Sequence, residues 1–185
     1  GKVKEAWLAV GRRGRKTAIG ATIGVYEACF RDHSKHLAPG EPGRVVCIAK
    51  DKDDAGALHH FAAAILGDPG LSYLLSGATA ERITTVTGIE IVTRAARLTA
   101  GRSRGIVCAL YDEIAFWPHD ESANPDVDII RGVNPGMANI PGALTVGMSS
   151  LYAQSGVLFS KVKEHFAIEW DEVLVWKADT LTMHR

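Results

Sequence analysis

The sequence predicts an α/β fold in which a mainly parallel sheet is flanked by helices on both faces. Three observations support this class. Apolar strand-like runs alternate with helix-like runs along the chain, which is typical of parallel sheets. A glycine-containing turn joins the first strand to a helix, and one central run is apolar throughout, as strands buried on both faces are. At 185 residues the chain is long enough for one sizeable core.

The first half of the chain contains two strand–helix units. Residues 6–10 and 44–49 are apolar strand-like runs. A helix is predicted from Thr17, where apolar residues recur at three- and four-residue steps, namely Ile19, Ile23, Tyr26 and Phe30. A second helix is predicted to begin in the acidic segment 51–54, which suits a helix N-terminus, and to end near residue 67. Its apolar face comprises Leu58, Phe61, Ala62 and Ile65.

The second half combines a hairpin with further strand–helix units. Residues 82–86 and 89–93 flank Thr87-Gly88, and this pattern predicts a β-hairpin inserted before the central strand. Four prolines then interrupt a loop-rich region, with one short helix predicted near 127–132. The remaining predicted elements are a strand at 143–148, a helix marked by Leu158, Val162 and Phe166, and a last strand at 172–176.

The turn after the first strand has the composition of a phosphate-binding loop. It reads Gly11-Arg12-Arg13-Gly14-Arg15-Lys16-Thr17 and leads directly into the first helix. Backbone N–H groups and the positive helix end favour an anion, Lys16 adds a point charge for the outer phosphates of a triphosphate, and the Thr17 hydroxyl is a ligand for Mg²⁺. The pattern resembles a Walker A loop with two departures. Arg15 replaces the glycine that usually precedes the lysine, and Gly11 lies five residues ahead of Lys16 instead of the usual six.

A second cluster of candidate residues follows the central strand. Residues 106–111 are apolar without interruption, and Asp112 and Glu113 come directly after them. Open α/β sheets bind ligands at the carboxyl ends of their strands. Phosphoryl transfer to water needs one carboxylate for Mg²⁺ and another to orient or deprotonate the water, and we assign these roles to Asp112 and Glu113 respectively. An isolated acidic pair more often caps the following turn, but the Lys-Thr loop upstream favours the catalytic interpretation.

The composition is that of an ordinary globular protein and excludes one that spans a membrane. Apolar residues make up 46% of the chain and charged residues 23%, and no apolar run approaches the roughly 20 residues of a membrane span. Cys29, Cys47 and Cys108 have spacings that match no metal site and indicate buried free thiols. The net charge is zero, yet residues 105–130 contain six acids and no Lys or Arg. The four arginines of residues 94–104 suit either bound phosphates or solvent equally well.

Three motifs occur along the chain in a specific order. They are residues 11–17, then Leu110-Tyr111-Asp112-Glu113-Ile114-Ala115-Phe116-Trp117, then Met148-Ser149-Ser150-Leu151-Tyr152-Ala153-Gln154-Ser155-Gly156-Val157-Leu158-Phe159. The aromatic residues after Asp-Glu, and the strand that ends in Ser-Ser before an aromatic residue and a helix-opening glycine, are not general features of P-loop proteins. In these motifs and their order the chain resembles, over nearly its whole length, the large terminase subunit of tailed double-stranded DNA bacteriophages.

The resemblance implies a P-loop NTPase fold of the ASCE or RecA-like type, with ATP and Mg²⁺ as cofactors. Residues 11–17 would bind the nucleotide, and Thr17 and Asp112 would be the metal ligands. Arg12 would reach the γ-phosphate in cis. Asp112 matches the Walker B acid and Glu113 the catalytic carboxylate.

The resemblance also implies roles for residues outside these two motifs. Arg102, with Arg104 close behind it, would be the arginine finger supplied to a neighbouring subunit. Ser149 and Ser150 match the motif that couples hydrolysis to DNA movement, although a hydroxyl pair that caps the next helix has the same spacing.

The large terminases have an N-terminal ATPase domain that powers DNA packaging into a procapsid, followed by a nuclease domain. By this resemblance we expect residues 1–167 to form the ATPase core, and residues 168–185 to hold the last strand and the start of a linker towards a nuclease domain. The implied partners are double-stranded DNA, the phage portal protein, the small terminase subunit and further copies of the chain in a ring, with no membrane. The implied location is the cytoplasm of the bacterial host, docked on the procapsid.

Two other functions fit the same residues. One is a helicase-like or RecA-like ATPase. The other is a degenerate P-loop module that binds DNA or partner proteins without turnover, if Arg15 spoils the loop. We expect instead a formed phosphate-binding loop, in which Arg15 keeps ordinary helical backbone angles and its side chain is exposed or touches the bound anion.

Overall fold

A computed structural model describes residues 3–99, 105–119, 122–151, 154–169 and 172–178. Within these ranges, eight strands form one sheet and four α-helices pack on its two faces. The strands are β1 Glu5–Val10, β2 Arg44–Ala49, β3 Leu75–Ala78, β4 Arg82–Thr85, β5 Glu90–Ala95, β6 Ile106–Asp112, β7 Leu144–Ser149 and β8 Val173–Ala178. The helices are α1 Lys16–Cys29, α2 Lys52–Leu66, α3 Pro125–Met137 and α4 Gly156–His165. None of these helices has the length and apolarity needed to cross a membrane.

The strand order is β3-β4-β5-β2-β6-β7-β1-β8. The six strands from β5 to β8 in this order run parallel, and β3 and β4 extend one edge in antiparallel pairs. The predicted α/β class with a mainly parallel sheet is therefore confirmed. One strand, β7, lies between β1 and β6, so the three motifs of the sequence follow three neighbouring strands.

The predicted antiparallel pair lies at the β3–β4–β5 edge of the sheet. β4 and β5 pair with Ile83 opposite Ile91, on either side of the predicted turn. β5 also runs parallel to β2, with Val92 opposite Val46, so this strand belongs to the main sheet and not to a separate insertion. The sequence pattern did not predict β3, because its Leu-Ser-Gly-Ala segment has neither an apolar run nor a clear alternation.

Two apolar layers enclose the sheet. α1 and α2 cover one face, where Val25, Leu58 and Leu66 pack against strand residues such as Leu110. α3 and α4 cover the other face, and the buried residues there include Trp7, Tyr111, Trp117, Ile129, Val133 and Leu158. Helix α3 extends beyond the predicted 127–132 at both ends. It begins at Pro125, which occupies the first turn, where a missing N–H costs nothing, and it continues through Pro135 to Met137.

The buried face of α1 differs from the one that the sequence predicted. Tyr26 and Phe30 are exposed and stack on each other, with ring centroids 6.0 Å apart. The buried residues of α1 are Lys16, Gly20, Ala21, Gly24, Val25, Glu27 and Ala28. Most of these are small, and they let the helix backbone approach the sheet closely. A Cβ added at Gly20 would lie 2.4 Å from the Cε of Met148. The periodicity of large apolar residues therefore marked a stripe that is only partly buried, since Ile23 packs against the core whereas Tyr26 and Phe30 do not.

Candidate active site

The candidate residues lie together at the carboxyl ends of β1, β6 and β7. Strand β1 leads into residues 11–15, β6 ends at Asp112, and β7 ends at Ser149. The parallel register brings these ends level, since Ala9 pairs with Ser149 and Asp112 pairs with Met148. The topology thus brings together three motifs that are far apart in the sequence. They lie at the carboxyl ends of the parallel strands, where α/β proteins bind ligands.

The start of α1 leaves backbone N–H groups for an anion. Among the described residues, no side chain caps this helix, and its first turn contains no acidic residue. Helix α2, in contrast, is capped by Asp51, whose carboxylate accepts a hydrogen bond from the N–H of Asp54 at 2.9 Å. The first N–H groups of a helix have no intrahelical partner and carry partial positive charge. The start of α1 is therefore suited to a phosphate.

Arg15 has a backbone conformation that usually belongs to glycine. Its φ and ψ are 54° and 28°, in the left-handed region, so the expectation of ordinary helical angles is wrong. Arg13 is left-handed as well, with φ 63°, because the chain must turn sharply between β1 and α1. The side chain of Arg15 is exposed, as expected. The loop therefore has the backbone shape that a glycine would adopt without steric cost. For an L-residue such as Arg15, this left-handed conformation costs about 1–2 kcal/mol.

Lys16 is almost fully buried beside Glu113. Only 6% of its side chain is exposed, and its Nζ lies 3.4 Å from Oε1 of Glu113. The same nitrogen is 3.4 Å from the carbonyl oxygen of Gly11 and 3.5 Å from the hydroxyl of Ser150. These contacts are long for charge-assisted hydrogen bonds. The three protein contacts compensate the burial of the Lys16 ammonium only weakly. A phosphate that binds here could therefore replace them with shorter hydrogen bonds to the ammonium.

Thr17 and Asp112 form a pair of oxygen ligands. The Thr17 hydroxyl donates to Oδ2 of Asp112 at 2.7 Å, and the N–H of Glu113 donates to Oδ1 at 3.0 Å. Burial raises the pKa of the Asp112 carboxyl, and the charge of Glu113 raises it further, against the hydrogen bonds that lower it. Mg²⁺ prefers oxygen ligands of this kind, and a cation here would offset the cost of burying the carboxylate. The donor set therefore fits Mg²⁺.

Glu113 stands between Lys16 and the end of β7. Its carboxylate accepts a hydrogen bond from the Ser149 hydroxyl at 3.0 Å, and about a third of its side chain (34%) is exposed. The Ser149 hydroxyl is therefore not used to cap α4. The cap is supplied by Asp126, which accepts a hydrogen bond from the N–H of Val157 at 2.7 Å. Contact with Glu113 connects the second and third motifs directly.

A cavity of about 230 Å³ opens beside Glu113, and its lining residues are Arg12, Lys50, Asp54, Glu113, Phe116 and Ser150. Sequence reasoning missed Lys50 and Asp54. Lys50 directly follows β2, the neighbour of β6, and the strand-end rule could have indicated it. Larger cavities of about 680 and 790 Å³ have no residue of the 11–17 loop in their walls, so size alone does not identify the site.

Arg102 and Arg104 lie outside the described residues, as do Tyr152 and Ala153 of the third motif. All the other predicted site residues lie at the same edge of the sheet, from Gly11 to Thr17, at Asp112 and Glu113, and at Ser149 and Ser150.

Comparison with known proteins gives matches only among solved structures, since neither the protein-family models nor the curated proteins match this chain. The HK97 bacteriophage large terminase is similar with a TM-score of 0.71 and 14% identity, over 95% of this chain and 35% of that one. The Thermus phage P74-26 large terminase ATPase domain has a TM-score of 0.69 and 12% identity, over 96% and 76% of the two chains. A mutant of that domain has a TM-score of 0.71 and 11% identity, over 100% and 79%.

These matches concern the fold. The chain spans about a third of the length of the HK97 protein, and the identities are too low to carry functional residues across. The similarity nevertheless covers almost every residue of this chain in the superpositions on both phage proteins. The chain therefore has the same fold as the matched part of the HK97 large terminase and as the Thermus phage P74-26 large terminase ATPase domain.

Proposed function

We propose that this chain is the Mg²⁺-dependent ATPase of a viral DNA-packaging motor. The observation that carries the proposal is the direct contact among the three motifs. Thr17 bonds Asp112, Lys16 faces Glu113, and Ser149 donates to Glu113. In the fold of a terminase ATPase domain, these contacts support a role for each group in ATP hydrolysis.

Residues 11–17 bind the phosphates of ATP. The N–H groups at the start of α1 face the anion, and Lys16 exchanges its long contacts for the outer phosphates. Arg12, which lines the cavity beside Glu113, is available for the γ-phosphate. Thr17 and Asp112 would hold Mg²⁺, which would neutralise negative charge on the phosphate oxygens.

Glu113 orients the attacking water and accepts its proton. Its side chain is partly exposed and lines the cavity, whereas Asp112 is buried and turned to Thr17, so the two acids have different roles. Once Lys16 turns to phosphate, Glu113 retains its hydrogen bond to Ser149. This bond ties the state of the carboxylate to β7 and supports the coupling role proposed for Ser149 and Ser150.

The partners of the motor follow from the family resemblance. They are double-stranded DNA, the portal protein, the small terminase subunit and further copies of the chain in a ring on the procapsid, in the host cytoplasm. Arg102 remains our prediction for the arginine finger in trans, with an effect on the order of a thousandfold or more. In rings that mix wild-type and Arg102→Ala subunits, full support of hydrolysis by the variant would exclude that role.

The test of catalysis is Glu113→Gln. We expect unchanged ATP binding and a turnover lowered about a hundredfold or more, the range for lost acid–base catalysis. Glu81→Gln is the matched control, because Glu81 is an exposed surface carboxylate paired with Lys52, and it should leave turnover unchanged. Single-turnover hydrolysis by Glu113→Gln at nearly the wild-type rate would overturn the assignment.

The replacement of the usual glycine by Arg15 leaves a second candidate, a degenerate module that binds partners without turnover. The loop then holds its shape without serving catalysis. ATP binding together with no phosphate release in the wild-type protein, even with double-stranded DNA and at concentrations that assemble rings, would support this alternative.

A further inference from the structure

Trp117 lies directly behind the peptide group that joins Asp112 to Glu113. Its indole Nε1–H donates to the carbonyl oxygen of Asp112 at 3.0 Å, in a buried hydrogen bond. The side chain is only 2% exposed. A neutral residue that the proposed mechanism does not use therefore contacts the backbone between the two carboxylates.

That peptide leads into a conformation that L-residues rarely adopt. Glu113 has φ 46° and ψ 41°, in the left-handed region. Such a backbone persists only where the surrounding contacts over-determine it. Here the N–H of Glu113 donates to Asp112 and its carbonyl accepts from the N–H of Phe116 at 2.9 Å. Trp117 adds the contact that fixes the preceding carbonyl.

The Trp117 ring has little freedom to move. It packs edge-on against Tyr111, with ring centroids 5.6 Å apart and an interplanar angle of 86°. The apolar cluster of α3, α4 and the sheet surrounds both rings. The Tyr111 hydroxyl is buried without a hydrogen-bond partner among the described residues, so this ring serves packing and not hydrogen bonding. Trp117 is thus a rigid donor at a fixed place.

We propose that Trp117 is a positioning residue for Glu113. Its indole N–H holds the peptide so that the Glu113 carboxylate faces Lys16 and Ser149, 3.4 and 3.0 Å away. The inference rests on the proposed function, because Glu113 must act in catalysis for its position to affect turnover.

Trp117→Phe removes the donor and keeps an aromatic ring. We expect kcat to fall between about tenfold and a hundredfold, since a displacement of about 1 Å can cost a factor of a hundred. KM for ATP should stay within about twofold, because residues 11–17 are untouched. Tyr111→Phe is the matched control. It deletes a buried hydroxyl without a partner from the neighbouring ring, and kcat should change by less than about twofold.

A loss of folded protein would also lower kcat, so the decisive readout is a double-mutant cycle with Glu113→Gln, normalised to ATP-binding stoichiometry. Once the carboxylate is gone, Trp117→Phe should cost less than about twofold more. An equal loss in both backgrounds overturns the proposal, and so does wild-type kcat in the single variant. If Trp117→Phe does not fold, benzothienylalanine at position 117 replaces the N–H by sulfur in a ring of the same shape, and the same outcomes apply.

Failure of the proposed function and failure of the role of Trp117 give different results. A wild-type protein without turnover refutes the proposed function, and the role of Trp117 with it. Normal turnover that is lost in Glu113→Gln but unaffected in Trp117→Phe refutes only the role of Trp117.

Discussion

The backbone of Arg15 gives a quantitative test of the phosphate-binding loop. Its left-handed φ of 54° is a conformation that glycine adopts without steric cost. The side chain is exposed, so Arg15→Gly removes little packing. The substitution therefore measures how much the left-handed backbone at position 15 contributes to the free energy of unfolding.

The magnitude follows from two opposing contributions. Relief of the left-handed conformation is worth about 1–2 kcal/mol, and the extra freedom of glycine in the unfolded chain costs about 0.5–1 kcal/mol. We expect the free energy of unfolding to rise by about 0.5–1 kcal/mol, which raises Tm by about 1–4 °C for a chain of this size. ATP affinity should stay within about tenfold, or about 1.4 kcal/mol.

Urea denaturation and an ATP titration of the same protein measure both quantities. Arg13→Gly is the matched control, because Arg13 is also exposed and left-handed, with φ 63°, and should be stabilised to a similar extent. A loss of stability in Arg15→Gly would refute the backbone reasoning. A rise in ATP affinity far beyond tenfold would show that the natural Arg15 obstructs the loop, and would favour the degenerate module.

Two further predictions test the sheet and the metal site. Gly147→Ala should destabilise the protein by about 1–3 kcal/mol in urea denaturation, the usual cost of overpacking. The reason is that a Cβ at this position would lie 2.2 Å from the buried Trp7 ring. A Cβ at Gly56 would have nothing within 4 Å, so Gly56→Ala should instead stabilise the protein by about 0.5–1 kcal/mol. Equal stability of these two variants would contradict the close packing of β1 on β7. The pKa of Asp112 is raised in the folded state. Without Mg²⁺ and nucleotide, the folded protein therefore holds the carboxyl proton of Asp112 more tightly than the unfolded chain does. Stability of the wild type relative to Asp112→Asn should therefore fall as pH rises from about 4 through the folded-state pKa, and a relative stability that rises over that range would refute the burial argument.

The arrangement of the site could be predicted largely from strand ends. Residues 106–111 form an uninterrupted apolar run, and the rule that ligands bind at carboxyl ends of parallel strands placed Asp112 beside the Lys16 loop. The same reasoning extends to Ser149 at the end of β7. Each of these statements needs only the direction of a strand, which the alternation of strands and helices indicates.

Other features depend on tertiary contacts that no local pattern contains. The buried face of α1 consists mainly of small residues because Met148 and the sheet approach closely at Gly20. The left-handed angles of Arg15 and Glu113 follow from turns whose shape the folded sheet imposes. The hydrogen bond from Trp117 to Asp112 requires the aromatic cluster to be packed first.

The proposed ATPase must bind ATP at residues 11–17 together with Mg²⁺. Isothermal titration of the protein with ATP, with and without Mg²⁺, measures this binding. We expect one ATP per chain with Mg²⁺ bound, and an affinity at least about tenfold weaker, or about 1.4 kcal/mol, in Lys16→Ala. Lys52→Ala, which removes an exposed lysine outside the loop, should bind as the wild type does. Equal affinity of the wild type and Lys16→Ala, or no binding by the wild type, would contradict the proposal that residues 11–17 bind the phosphates of ATP.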